Sequence, residues 1–170
     1  LAVTGATQVA GKVGAYAFDF DGTNDYLEYS NPGGVLPGTT NAISISFWQY
    51  GDSGSDNSII WVQTPSGQRV VNIHLPYSGQ VYFDCGSTSS FSYDRINKSA
   101  VASDYTGAWV HWVFTKDVSA GVMKIYRNGS LWHSDTGKTR TLPTASNLFV
   151  GSESGSSLYY DGRLDELAIW

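Results

Sequence analysis

Cysteine is almost absent from this 170-residue sequence: Cys85 stands alone, so no internal disulfide can form. A chain of this length buries enough apolar surface to fold without one. Cys85 lies in a strand-like run flanked by Phe83 and Gly86, the setting of a small buried filler. A catalytic thiol would want a histidine and an electropositive neighbourhood instead. Good helix formers are scarce too, with three glutamates (Glu28, Glu153, Glu166), five lysines and one methionine. No apolar run approaches the roughly 20 residues that span a bilayer. Basic residues number 10 against 15 acidic ones and form no cluster, for a net charge of −5. That balance argues against nucleic acid as a partner, and an anionic membrane surface is disfavoured for the same reason. The G-x-S-x-G elbow, the H-E-x-x-H helix and the phosphate-binding loop are missing. Leu1 is not an initiator methionine, so we expect one domain over residues 1–170 excised from a longer protein.

Aromatic and turn-forming residues are what the chain has in quantity: 6 Trp, 11 Tyr, 7 Phe and 19 Gly. Aromatic and β-branched side chains suit half-buried pleated surfaces, and glycine suits the tight turns between them. The apolar period is two almost throughout. Tyr16, Phe18 and Phe20 alternate with Ala17 and Asp19, and Ile43, Ile45 and Phe47 alternate with Ser44, Ser46 and Trp48. Asp21-Gly22-Thr23-Asn24-Asp25 reads as a turn, and Asn31-Pro32-Gly33-Gly34 with Pro37-Gly38 reads as a loop. Tyr77-Ser78-Gly79, residues 116–121 and Asn128-Gly129 read as hairpin connections. Residues 86–107 are polar and are expected to hold at most a short strand or two. Strand signals recurring roughly every 8–12 residues, about a dozen in all, predict an all-β antiparallel two-sheet β-sandwich of the jelly-roll kind.

Particular residues carry a family resemblance. Phe20-Asp21-Gly22-Thr23-Asn24-Asp25-Tyr26-Leu27, preceded by Gly11-Lys12-Val13-Gly14, resembles the opening of laminin-G-like jelly-roll domains in the concanavalin A-like lectin/glucanase superfamily. Ile43-Ser44-Ile45-Ser46-Phe47-Trp48, Trp109-Val110-His111-Trp112, Ile125-Tyr126-Arg127-Asn128-Gly129 and the closing Gly162-Arg163-Leu164-Asp165-Glu166-Leu167-Ala168-Ile169-Trp170 are similar to its later landmarks, in order. The resemblance covers nearly the whole chain and implies sugar-binding modules, adhesins, extracellular interaction domains or virion proteins as relatives. It also implies a structural calcium where the first and last strands meet, with Asp21, Asn24 and Asp165 as expected ligands and Asp25, Asp161 and Glu166 nearby. Strand phase adds to this, because Asp165 alternates with Leu167 and Ile169, which are expected to face the core, and a carboxylate there needs a partner. The plainer alternative is that Asp165 accepts backbone N–H bonds or pairs with an arginine, and that Asp21 and Asn24 cap a turn.

Sugar rings stack their C–H faces on aromatic side chains while polar neighbours bond the hydroxyls. Trp61, Tyr77, Tyr82, Tyr93, Tyr105 and Trp132 are the expected ligand-binding aromatics, with Tyr159 and Tyr160 as further candidates, several of them in polar stretches. His74 with Asp84 is a third constellation, able to polarise a ligand hydroxyl or simply to stiffen its hairpin. Retaining glycosidases of this superfamily carry a close E-x-D-x-E-like carboxylate run, and none is present. The sequence therefore points to a non-catalytic carbohydrate-binding module, extracellular or on a cell or virion surface, with polysaccharide or glycan as partner. The alternatives are a virion or surface adhesion domain contacting other proteins, and a polysaccharide hydrolase or lyase.

Overall fold

The computed structural model describes residues 1–31, 34, 36, 41–89 and 92–170, with the side chains of Thr88 and Ser89 left aside; most of the expected loop at 32–38 lies outside the described residues. The period-two segments form fourteen strands: β1 (Ala2–Thr4), β2 (Thr7–Ala10), β3 (Tyr16–Asp21), β4 (Tyr26–Ser30), β5 (Ala42–Gly51), β6 (Ile60–Gln63), β7 (Arg69–Tyr77), β8 (Gln80–Ser89), β9 (Ser92–Ser99), β10 (Val110–Asp117), β11 (Val122–Arg127), β12 (Ser130–Thr136), β13 (Asn147–Val150) and β14 (Asp161–Ile169). A 3₁₀ turn, Ala102–Asp104, precedes β10.

Two antiparallel seven-stranded sheets result. The first runs β1-β4-β13-β6-β7-β8-β9 and the second β12-β11-β10-β5-β14-β3-β2. Between them the inward residues of alternate positions pack face to face. Phe83 of the first sheet meets Phe114 of the second edge-on at 5.4 Å, and Phe114 stacks on Phe47 at 5.9 Å. Cys85 is buried in this core, as expected of a filler, and burial pushes its thiol up to about 12.

Beyond β9 and β12 the sandwich is clasped by polar contacts. Lys98 Nζ lies 4.5 Å from the Trp132 ring and donates to the Trp132 carbonyl, while Trp132 meets the core Trp112 edge-on at 5.5 Å. Deeper in, Lys116 of β10 is fully buried and donates to Asp94 of β9 at 2.8 Å and to the Cys85 carbonyl at 2.6 Å. Arg140 closes this ion pair from the following loop, its Nη1 2.6 Å from the other Asp94 oxygen. Burial pushes the Asp94 carboxyl up, but the bonds from Lys116 and Arg140 outweigh it and hold the group below its ordinary 3.8.

Two expectations are corrected, the strand content of residues 86–107 and the phase of Asp165, and two features are added. The polar stretch 86–107 holds the end of β8 and the eight-residue strand β9, whose inner face is masked in the sequence because one of its buried positions is the charged Asp94, leaving only Ile96 as an apolar marker. The N-terminal segment supplies two further strands, short and mostly exposed, one to each sheet. The turn at 21–25 joins β3 of the second sheet to β4 of the first, so it is a crossing between sheets. In β14 a bulge between Asp165 and Ala168, with Glu166 at φ 51°, breaks the strand phase. Asp165 consequently pairs with Trp48 on the outward face, and the core face resumes with Leu167 and Ile169 packed partly against the interior.

Candidate functional site

One register row crosses the outer face of the first sheet: Glu28, Phe149, Trp61, Asn72, Asp84 and Arg95 are successive cross-strand partners. His74, Tyr82 and Asn97 form the next row. Cross-strand partners share a face, so six strands deliver these side chains to one surface opposite the core.

Asp84 is the hub. Its side chain is fully buried, and three charge-assisted bonds hold it: Arg95 Nε to Oδ1 at 2.6 Å, Arg95 Nη2 to Oδ2 at 2.8 Å and Arg69 Nη1 to Oδ2 at 2.6 Å. A buried carboxylate is tolerable only when paired and fully bonded in this way. Each guanidinium is also gripped between rings. Arg69 lies 4.8 Å from both Trp61 and Tyr93, and Arg95 lies 4.7 Å from Tyr82 and 5.0 Å from Tyr93. Planar guanidinium suits both contacts at once, where lysine would not.

His74 is fixed by a second polar chain. Asn57 O faces its Nδ1 at 2.5 Å and Asn72 Nδ2 faces its Nε2 at 2.8 Å. A carbonyl can only accept, so Nδ1 carries the proton and Nε2 accepts from the Asn72 amide. Asn72 Oδ1 in turn accepts from Ser58 Oγ at 2.6 Å. Burial lowers the His74 pKa from its ordinary 6.5, against an upward pull from the Asn57 carbonyl and Asp84. The imidazole is thus neutral with both nitrogens engaged, and its ring packs 5.0 Å from Tyr77 and 5.8 Å from Tyr82.

Together these groups open into a cleft of about 250 Å³ lined by Arg69, His74, Tyr77, Tyr82, Tyr93 and Arg95 on the sheet side. Glu153 and Leu158, from the loop joining β13 to β14, complete it. Leu158 is held at φ 50°, an unusual conformation for a branched side chain, and its carbonyl accepts from Ser58 N. Several polar groups here have no protein partner among the described residues: the hydroxyls of Tyr77, Tyr82 and Tyr93, the Glu153 carboxylate, Arg69 Nη2 and Arg95 Nη1. Arg69 Nε is buried without an acceptor. Aromatic walls with convergent unspent donors are the make-up of a polar-ligand site.

Of the sequence-nominated residues, His74, Tyr77, Tyr82 and Tyr93 line this cleft. Trp61 and Asp84 lie beneath it, Trp61 being 6% exposed, and act by holding Arg69 and Arg95. Four aromatics lie elsewhere, and one of them, Tyr159 in the loop before β14, donates its hydroxyl to Gly155 O at 3.0 Å. Tyr105 is only 5% exposed and belongs to the core, its carbonyl accepting from the buried Gln49 amide at 2.6 Å. Tyr160 is fully buried, and Trp132 belongs to the clasp described above. Their polar sequence neighbours point outward and concealed the inward role. The two arginines, Glu153 and Leu158 went unnominated; Arg95, alternating with Tyr93 and Asn97, was the signal available.

The expected calcium ligands are not gathered into one site. Asp21 Oδ1 accepts from Thr23 N at 2.8 Å and Asn24 N at 3.5 Å, capping its own turn. Asp165 Oδ2 accepts from Lys12 N and Val13 N, both at 2.8 Å. Asp161, not Asp165, is the register partner of Asp21, and four residues of strand separate the two acids, roughly 13 Å. No group of three or more His, Cys, Asp or Glu suited to a metal occurs among the described residues. The residues as arranged do not fit a shared cation.

Among solved structures, the fold is similar to that of botulinum neurotoxin binding domains. The botulinum neurotoxin serotype G binding domain superposes with a TM-score of 0.69 at 17% identity, over 98% of this chain and 43% of that one. The botulinum neurotoxin DC binding domain in complex with SialylT gives 0.69 at 16% identity, over 99% and 42%. The same domain in complex with rat synaptotagmin II gives 0.69 at 17%, over 97% and 41%. This chain therefore spans less than half the length of those domains, and the likeness is one of fold. Comparison with curated proteins by sequence gives no match. A family model of the laminin G type matches residues 21–170, and so the chain belongs to the concanavalin A-like lectin/glucanases superfamily.

Proposed function

We propose that this protein is a carbohydrate-binding module that acts by recognition and not by catalysis, as part of a secreted or surface-displayed protein. The observation that carries this reading is the cleft on the first sheet, where Tyr77, Tyr82 and His74 form an aromatic corner beside two immobilised arginines. Aromatic faces accept the C–H face of a pyranose, and the unspent tyrosine hydroxyls, guanidinium edges and Glu153 supply partners for ring hydroxyls. Preorganisation favours binding, since Asp84 and the flanking rings have already restricted the side chains that would otherwise lose freedom. The chemistry of hydrolysis finds little support here. Glycoside cleavage uses two carboxyl groups flanking the bond, whereas Glu153 is the one carboxylate lining the cleft and Asp84 is locked beneath it. His74 has no free nitrogen with which to act as a base. A structural neighbour, 42% of which is covered by this chain, is solved in complex with SialylT, and that is in keeping with a glycan ligand.

Affinity electrophoresis against a polysaccharide panel tests the reading. Wild-type protein is expected to be retarded by at least one polymer, and Tyr82→Ala to lose about ten-fold in affinity, the scale of one aromatic contact in a charged polar site. Absence of retardation on every polymer would overturn the reading.

A second reading, docking to a protein, draws on the outer face of the other sheet. There Lys12, Trp48 and His111 stack in one row, and Arg163, Tyr50 and Trp109 in the next, all partly exposed. Retention of a partner that Trp48→Ala abolishes and Tyr82→Ala leaves intact would favour it.

A further inference from the structure

We infer that the cleft on the first sheet selects an anionic sugar, one carrying a carboxylate or sulfate that seats against the free edges of Arg69 and Arg95. This rests on the carbohydrate reading above and names the class of ligand within it.

The argument is one of local charge and geometry. The chain as a whole carries −5, yet beneath this cleft two guanidiniums share a single carboxylate, Asp84, leaving the cluster with an excess positive charge. Arg95 spends Nε and Nη2 on Asp84 and Arg69 spends Nη1, so each retains an outer edge of N–H donors. Arginine presents these donors in a planar fork that matches the two oxygens of a carboxylate or sulfate. Neither fork can swing away, because Trp61, Tyr93 and Tyr82 hold the guanidinium planes and Asp84 fixes their inner edges. Occupying the cleft with a neutral sugar would strip water from these edges and return only hydroxyl acceptors, weaker partners for a charged donor. Glu153 opposes the arginines across the cleft without reaching them, since no ion pair joins it to either one. Its carboxylate suits a neutral hydroxyl on the same ligand and limits how much negative charge the cleft accepts.

Matched polymers test this. Isothermal titration and affinity electrophoresis would compare polygalacturonate with its fully methyl-esterified form, and a sulfated galactan with the same galactan after desulfation. Within at least one pair the wild-type protein is expected to bind the anionic member about ten-fold or more tightly than the neutral one, with the preference shrinking as salt rises. Arg95→Gln should erase the preference. Because Arg95 also supports Asp84, that variant could fail to fold, and Glu153→Gln provides the second arm. Removing the rim carboxylate should strengthen binding of the anionic member several-fold and leave its neutral counterpart unchanged or weaker. Equal or tighter binding of the neutral member in both pairs would overturn the anionic assignment and leave the carbohydrate reading standing. Failure to bind these four polymers and every glycan of a mixed array would overturn the carbohydrate reading, and the assignment with it.

Discussion

Asp84 shows how a residue that touches no ligand can govern a site. Buried under the cleft and bonded three times by two arginines, it sets where both guanidiniums point. Asp84→Asn removes the charge while keeping the shape. Truncating one partner of a buried pair costs about 3–5 kcal/mol, and partial exposure of Arg95 brings the expected loss nearer to about 2 kcal/mol. Urea denaturation should show that loss, together with loss of glycan retardation by the folded variant. His74 offers a test by pH. Burial keeps its folded-state pKa below the 6.5 of an ordinary histidine. Below pH 6.5 the unfolded chain therefore binds a proton that the folded chain refuses. The stability His74 contributes is present above that pH and is lost as pH falls through 6.5 toward the folded value. Asp94, whose carboxyl is held below 3.8, loses its contribution only at lower pH still, so the two effects separate. The urea midpoint should fall between pH 7.5 and 5.5, and His74→Gln should flatten that slope; an unchanged slope would remove His74 from the account.

Among the elements, the segment leaving β13 decides how the cleft is roofed. Gly151 sits at φ +86°, and a Cβ there would lie 2.5 Å from the Phe20 ring. Its N–H donates to Ile59 O, and its carbonyl accepts from Tyr160 N. Gly151→Ala must therefore shift a fully buried aromatic as well as strain the backbone. We expect a loss of about 3 kcal/mol, roughly 10 °C in Tm by calorimetry, with weaker glycan binding because Glu153 and Leu158 follow directly. A loss below about 1 kcal/mol would mean that the turn can relax away from Phe20. Element legibility tracked inward apolar alternation. β5, with Ile43, Ile45 and Phe47 facing in, was plain from the sequence, whereas β9, whose buried inward positions are Asp94 and Ile96, was legible only as part of a stretch with at most a short strand or two. The phase of β14 was misread because one left-handed residue, Glu166, resets it, and nothing in Leu164-Asp165-Glu166-Leu167 announces a bulge. Tyr105 and Tyr160 looked exposed because their neighbours are polar, yet long-range bonds to Gln49 draw Tyr160's hydroxyl and Tyr105's carbonyl inward. The cleft residues on β7 and β8 were legible as a hairpin of aromatic, histidine and acid. Glu153 and Leu158 were not, since a loop's position over a sheet depends on contacts distant in sequence.

At the scale of the whole molecule, the two sheets have unequal tasks. The cleft is built on β7, β8 and β9 of the first sheet, and the loop from residue 151 to 160 connects it to β14 of the second. The clasp of Lys98 with Trp132 and the buried Lys116–Asp94–Arg140 group tie β9 to the second sheet at the opposite margin. Ligand in the cleft should then stabilise in two separable ways. Binding to the folded state alone raises global stability by about 2.7 kcal/mol at a hundred-fold excess over Kd, which slows exchange of the most protected amides in both sheets alike. Local contact adds a second effect, confined to segments that open without global unfolding. Amide hydrogen exchange with a saturating glycan should show extra protection at residues 152–159 and along the Tyr77–Gln80 hairpin. The outward strands β2 and β12 of the second sheet should gain nothing in their locally opening amides. Global slowing with no extra local protection at these two segments would indicate a ligand bound somewhere other than this cleft. Extra protection centred on Trp48 and Trp109 would move the site to the opposite face.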